Sequence, residues 1–443
     1  MNAELRSVKT NAEQALADAY AVAKTTLPGD GKVLKLREAA AARFDALGLP
    51  HRRVEEWKYT DLRVALRDAR PLAGPPDAAA KALAKDAGGL IGDVDARRIV
   101  FVDGTFVPEL SDLADLSPGL TIRSMAEALA KDDPLIASHL GKVVVAEREG
   151  VVALNTALMR DGAVVHVAKG ATVERPIHLV FASNGKTPAS VFIRSLVVVE
   201  EGARVMLVES HEATAGYQVN TALEMVVGDN AHVDHIKLTG GASDVVHVSS
   251  LLAAVGAKAR LNDFAFNIGG GVVRNQTFIR FDGEGTLAGL RGASLLNGKQ
   301  HVDSTLVVDH KAGGCQSREV FATVLDGESR GVFQGKIVVR PHAQQTDARM
   351  MTRALLLSDE AEADNKPELE IFADDVQCGH GATSGALDKE LKFYLMARGI
   401  PEKEAEALLV QAFVGEAIEG IEHAGLREAL MEQVVAWLQA RGS

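Results

Sequence analysis

Cysteine is almost missing from this chain, which has two in 443 residues, Cys315 and Cys378. That number builds no disulfide framework, no CxxC pair is present to found a zinc site, and a reducing cytoplasm is the simplest setting. Aromatic residues are scarce too, at 5% against 47% hydrophobic residues overall. A core of Val, Leu, Ala and Ile follows, the composition of stacked strands more than of an aromatic-lined pocket. A net charge of -12 with no Lys/Arg block argues against a nucleic-acid partner, whose phosphates are bound by clustered cations. No apolar run reaches membrane-spanning length. The opening MNAELRSVKTNAEQALADAY carries acids and helix formers without a continuous apolar stretch, unlike a signal or transit peptide. Neither the phosphate loop GxxxxGK[ST] nor the hydrolase elbow GxSxG occurs.

What is there is a long middle of period-two alternation between two helical ends. Ala3 to Gly48 reads as helical, with Leu16, Ala19, Ala23, Leu36, Ala40, Phe44 and Leu47 at helical spacing. In GLPHRRVEEWKYTDLR, Trp57 and Tyr59 stand among charges and Thr60 is placed to cap a short helix. A loop whose aromatics pack on a neighbouring helix accounts for this segment, with a binding role as the alternative. Pro71–Gly89 is low in complexity and reads as a linker. RRIVFVDGTFVPEL makes two short strands about an Asp103-Gly104 turn, and Ser124–Lys131 and Asp133–Leu140 read as short helices.

From about Val151 to Phe372 short alternating strands follow one another, with small or turn-forming steps at Ala171, Ala203, Ala231, Ala257, Gly285 and Gly313. The intervals are 32, 28, 26, 28 and 28 residues. One strand-and-turn unit per near-constant step is the pattern of a stacked solenoid, and the lack of an intervening helix favours a β-helix over a parallel α/β sheet. The expected class is mainly β with helical flanks, a right-handed parallel β-helix. Its expected divisions are an N-terminal helical region with linker at 1–90, a mixed connection at 91–150, the β-helix core at 151–383 and a C-terminal helical region at 384–443. In that last region Leu387, Leu391, Tyr394 and Leu395 share a face and Gly399 ends the helix. Pro401 opens a second, with apolar Ala405, Leu408, Leu409, Ala412 and Phe413, and Leu426 to Leu438 supplies a third. Helices at both ends suit a solenoid whose terminal strand edges need covering, and they are available for docking another protein.

The strands give way to helices in EIFADDVQCGHGATSGALDKEL, which holds Cys378 and His380 two residues apart. In a strand both side chains point to one face, a spacing that suits joint ligation of a soft or borderline metal. Two donors do not complete a tetrahedral site, so further ligands must come from elsewhere in the chain or from a second protein. The acids Glu370, Asp374 and Asp375 would raise the cysteine pKa and a metal would lower it. The plain alternative is a polar cap on the last rung. Other polar groups read as structural. IGGGVVRN is a turn between rungs, and Asp303, Asp309 and His310 are outward-facing residues of a strand, with a polysaccharide-cleaving site as the alternative. His232 and His235 point to opposite faces and cannot share a metal. Cys315 is a small buried thiol, and the Pro341–Asp347 cluster is a turn that satisfies its own backbone.

Against this background PHAQQTDARMMTRALLLSDEAEADNKPELEIFADDVQCGHGATSGAL, with FYLMARGIPEKEAEALLVQAFVGEAI after it, resembles the C-terminal signature of the SufB/SufD family of iron–sulfur cluster assembly scaffolds. RRVEEWKYT and ALNTALMRDGAVVHVAKGATVERPIHLVF are similar to other landmarks of that family. The missing cysteine-rich N-terminal motif and the stretch HKAGGCQSREVF point to its SufD branch. The resemblance implies a β-helical core between helical regions and a non-catalytic subunit of a SufBCD complex. It implies pairing with SufB through the core, docking of the SufC ATPase on the C-terminal helices, and a homodimer when isolated. It further implies a transient iron–sulfur cluster shared with SufB, with His380 and, more loosely, Cys378 as its residues here, and reduced flavin as a cofactor of the whole complex.

Overall fold

A computed structural model describes residues 9–131, 133–144 and 148–441. Its centre is a parallel β-solenoid in which successive strands alternate between two sheets of nine and ten strands. In the nine-stranded sheet Ser190 aligns with Gln218, then Val246, Val272, His301, Arg330 and Glu362. The chain therefore advances 28, 28, 26, 29, 29 and 32 residues per turn, the near-constant step read from the small residues. Pairing is antiparallel at the N-terminal end, where Leu120–Ser124 meets Ala163–Val167 and Thr105–Phe106 folds back on Arg97–Val102.

Alternation builds the lumen. Along Arg204–Ala213 the inward side chains begin with Val205 and Leu207, and along His232–Thr239 with Val233, all members of one buried cluster running through the coil. Burying each such Val or Leu contributes about 1.5–3 kcal/mol, and a one-residue slip would turn the whole set outward, so the register is fixed. Turns are tight where rungs stack. Gly270 has φ +88°, and a Cβ on Gly271 would lie 2.3 Å from the Ser243 carbonyl oxygen, so the IGGGVVRN glycines serve a turn between rungs. The Pro341–Asp347 turn satisfies itself as expected: Gln344 Nε2 donates to the Pro341 carbonyl (2.9 Å) and Thr346 Oγ1 to that of Ala343 (2.9 Å).

Several expectations are corrected. Gly150–Leu158, placed at the start of the alternating region, is a helix with every residue buried against strands Ser190–Val199 and Gln218–Val227. A segment buried on all sides, with only Asn155 and Thr156 polar, carries no clear period by which to tell helix from strand. Pro71–Gly89 is no loose linker: Leu72 bridges to Ser190, and helix Ala78–Leu83, capped by Asp77, buries Ala80. The Ala3–Gly48 span is two helices, Asn11–Ala23 and Gly31–Leu47, parted at Pro28-Gly29; residues 3–8 of it lie outside the described residues. The first opens on a capping box of Thr10 and Glu13. Thr60 caps nothing; Asp61 caps helix Leu62–Ala65, and Thr60 instead reaches across to Asp303 and to His301 Nε2 (2.8 Å).

Trp57 packs on the solenoid as well as on helices. Its ring lies 3.9 Å from the guanidinium carbon of Arg274, and its Nε1 donates to Glu149 (3.3 Å). Arg274 in turn pairs with Asp303, both fully buried. The strand Asp303–His310 thus differs from its reading. Asp303 is roofed by the N-terminal segment, His310 is buried with Nε2 on Ser317 Oγ (3.1 Å), and Asp309 alone is outside, on Arg340 (2.8 Å). The two carboxylates are held by separate arginines and do not converge on a cleft.

At the C-terminus helix Glu402–Ile418 buries Val410, Val414, Ala417 and Ile418 against the outer wall of the ten-stranded sheet, and Ala424–Arg441 packs beside it. Of the face expected for the first of these, Leu408 and Ala412 are exposed. The helix is apolar around much of its girth, so docking chose the face and left another free. No described helix is long and apolar enough to cross a membrane.

Candidate site at the open end of the solenoid

The last two strands, Glu362–Ile371 and Gln377–Ala386, close the two sheets, each paired on one side only. Earlier strands are largely buried, whereas these two have no buried residue and the last is mostly exposed. A free edge presents a row of unpaired backbone donors and acceptors, ready to extend the sheet with a strand from another chain. Exposed Ile371 and Phe372 stand at the same end.

Cys378 and His380 lie on this final rung, on one face as their spacing requires. Cys378 aligns with Ala348 and His380 with Met350, and one strand further in these lines continue to Ser317 and Glu319. Met350 is buried and Cys378 packs with its cluster, so both lines follow the lumen side. Cys378 is half-buried and His380 is exposed where the coil ends. Burial pushes the Cys378 thiol up, with the charges of Asp347 and Glu319 adding to the rise and the Ala348 amide opposing it. The acids expected to do this, Glu370, Asp374 and Asp375, do not act on the thiol. Glu370 is held by Lys336 (2.5 Å), and the effective acids come from the rungs beneath, which are near in space though distant in sequence. Among the described residues no third Cys, His, Asp or Glu gathers with Cys378 and His380. The pair offers a soft and a borderline donor at a sheet edge with the rest of a coordination sphere missing.

Beneath this rung Glu319 is fully buried, and neither carboxylate oxygen has a hydrogen-bond partner. Burial lifts its pKa to about 7 against the pull of the Ser317 hydroxyl and Arg318. Deeper still, Glu209, His211, His235, Lys237 and Asp263 line a cavity of about 30 Å³. Burial opposes a charge on His235, but Asp263 (2.7 Å to Nδ1) and Glu209 (3.5 Å to Nε2) overcome it and hold the imidazole at about 9, while burial lowers Lys237 to about 8. Two cations therefore balance two carboxylates inside the coil. Sequence reasoning weighed His235 only as a ligand beside His232 and passed over the other four, although each sits at the inward parity of its strand, two or four residues beyond an apolar lumen residue. Cys315 is fully buried, with its thiol on the Gly283 carbonyl (3.3 Å), the inert role expected of it. His232 and His235 face opposite ways as expected, the first toward the outside and the second into this network.

A coiled parallel sheet with helical covers and a Cys/His pair on its unpaired last rung defines a β-solenoid scaffold. The comparison with known proteins gives its family. The family described as "SUF system FeS cluster assembly, SufBD core domain" matches residues 181–413, and "SufBD protein N-terminal region" matches residues 10–179. The chain belongs to the SufBD family. It is 33% identical over 418 residues to an iron–sulfur cluster assembly SufBD family protein of Synechocystis, covering 91% of each chain. It is similar to the iron–sulfur cluster assembly protein SufD of Escherichia coli, at 31% identity over 87% of this chain and 89% of that protein. The SufD of Bacillus subtilis is 24% identical, over 90% and 92% of the two chains.

Proposed function

We propose that this chain is the SufD-type scaffold subunit of an iron–sulfur cluster assembly complex, pairing with SufB through the open end of the solenoid. The observation that carries this reading is the place of Cys378 and His380, paired on a last rung whose edge lacks a strand and whose ligand set lacks members. A partner adding strands to both free edges would bury that rung and bring its own thiolates beside the imidazole. The nascent cluster is then cargo, assembled in a site that exists only between two chains, and its incomplete ligation by either chain favours release to an acceptor.

The C-terminal helices supply the second contact of the proposal. Helix Lys389–Met396 buries none of its residues and exposes Leu391, Phe393, Tyr394 and Met396. Such a strip fits a protein partner, here the SufC ATPase, to which ATP hydrolysis is assigned. Division of the chain near residues 150 and 384 separates the covers from the cluster-bearing core in this scheme.

The test is anaerobic co-purification of this chain with SufB and SufC, comparing wild type with His380→Ala, Cys378→Ala and the double variant for bound iron and sulfide. The expected result is an intact complex with cluster content reduced at least severalfold in His380→Ala. Unchanged iron and sulfide in the double variant would leave the chain a purely structural adaptor, and failure to co-purify would overturn the pairing itself.

A further inference from the structure

His232, set aside as a ligand because His235 faces the other way, has two other neighbours. It lies at the start of strand His232–Thr239 with Asp234 two residues on, so both project outward from the ten-stranded sheet. The corner between helices Glu402–Ile418 and Ala424–Arg441 comes down on this spot and contributes Glu422. One ligand atom each from His232, Asp234 and Glu422 lie within 4.8 Å of one another. His232 Nε2 and Asp234 Oδ1 are already 3.5 Å apart, close to the separation of two donors that each sit about 2.0–2.2 Å from one zinc ion. Glu422 is exposed, so its flexible side chain closes the remaining gap without moving backbone.

The surroundings supply a fourth donor and a competitor. Asn262, aligned with Asp234 on the adjoining strand, has its amide 2.7 Å from Asp234 Oδ1 and 3.5 Å from His232 Nε2. Turned over, that amide presents its oxygen to the same point. Arg260 pairs with Glu422 at 3.0 Å. Arg291 lies behind, against Gly420, in the cavity that Asp234, Asn262 and Glu422 also line. The guanidinium of Arg260 occupies the role a metal would take, so ion and arginine compete for Glu422.

We propose that His232, Asp234 and Glu422, with Asn262, bind a borderline divalent cation of the Zn²⁺ or Fe²⁺ class that fastens the C-terminal helices to the solenoid wall. One imidazole, two carboxylates and an amide oxygen make a mixed N/O set suited to such ions and poor for Mg²⁺, which prefers oxygen alone and keeps its waters. The site is distinct from Cys378 and His380, being on the outer wall of the coil. It ties together the two parts of the molecule that the proposed function assigns to different partners, though it does not depend on that assignment.

The experiment is calorimetric titration of the full chain with Zn²⁺ after chelator treatment, in a Cys378→Ala/His380→Ala background so that the rung site contributes nothing. One Zn²⁺ per chain is expected, with affinity falling at least tenfold in His232→Ala and in Asp234→Asn. Arg260→Gln removes the competitor and tightens binding, a change that a purely structural ion-pair network would not produce. Arg260 is exposed while His232 and Asp234 are half-buried, so thermal unfolding with and without Zn²⁺ gives a second readout, the midpoint rising only where His232 and Asp234 are intact. Absence of saturable binding, or affinity unchanged in His232→Ala and Asp234→Asn, overturns the proposal.

Discussion

Glu319 is the group whose removal tests the electrostatics of the open end most directly. Its carboxyl is fully buried with both oxygens unpartnered, and burial raises it from an ordinary value near 4.5 to about 7. Between those values the folded chain keeps a proton that the unfolded chain has released, so stability falls as pH rises through the window and the whole cost is present above about pH 7. At about 1.4 kcal/mol for each pH unit over which the proton is retained, the cost at pH 8 is about 3 kcal/mol. Glu319→Gln keeps the shape and cannot ionise. Its stability relative to wild type should therefore climb by about 3 kcal/mol between pH 4.5 and pH 8, whatever constant offset the buried amide introduces. Urea unfolding of both chains at pH 4.5, 6 and 8, followed by circular dichroism, reads that difference while all other titrations cancel. A stability difference flat across this range would refute the reasoning and mean that Glu319 finds a partner or water that keeps it charged.

Two further perturbations probe the covers of the solenoid. Asp303→Ala strips a fully buried Arg274 of its counter-ion and Thr60 of its acceptor. A loss of about 3–5 kcal/mol follows from leaving such a charge unpaired, together with a red shift in fluorescence from Trp57, whose ring rests on Arg274; an unchanged urea midpoint and spectrum would show that the N-terminal segment is held by other contacts. Phe393→Asp falls on a residue 72% exposed in a helix with no buried residue. It should alter stability by less than about 0.5 kcal/mol and, on the docking proposed above, abolish capture of the ATPase in a pull-down, so retained capture would overturn that placement of the interface.

How much of this was legible in the sequence follows from which signals are local. The solenoid was, because the interval between small residues is the length of one turn of the coil and alternation along each strand sets its lumen face. The pairing of Cys378 with His380 was, because a spacing of two is all that a strand requires. Gly150–Leu158 was not, since burial on every side erases the period that distinguishes helix from strand. Nor was the surrounding of Cys378: the acids that act on its thiol, Asp347 and Glu319, belong to neighbouring rungs, whereas the sequence pointed to Glu370, Asp374 and Asp375, which are closer along the chain.

The same geometry explains both the buried charges and the outer cluster. A β-solenoid places residues about one turn apart in direct register, so Asp234 stands beside Asn262 and Met206, and His380 stands above Met350 and Glu319. Folding the sequence into rows of 26 to 32 residues brings these columns together on paper. Within the columns the apolar lumen is interrupted by Glu209, His235, Lys237 and Asp263, each a position where alternation alone predicts Val or Leu. Glu422 lies outside every column, since it reaches the wall from a helical corner. A cluster that depends on it is hidden from any reading by rows, and this is why His232 looked solitary until the C-terminal helices were seen to close over it.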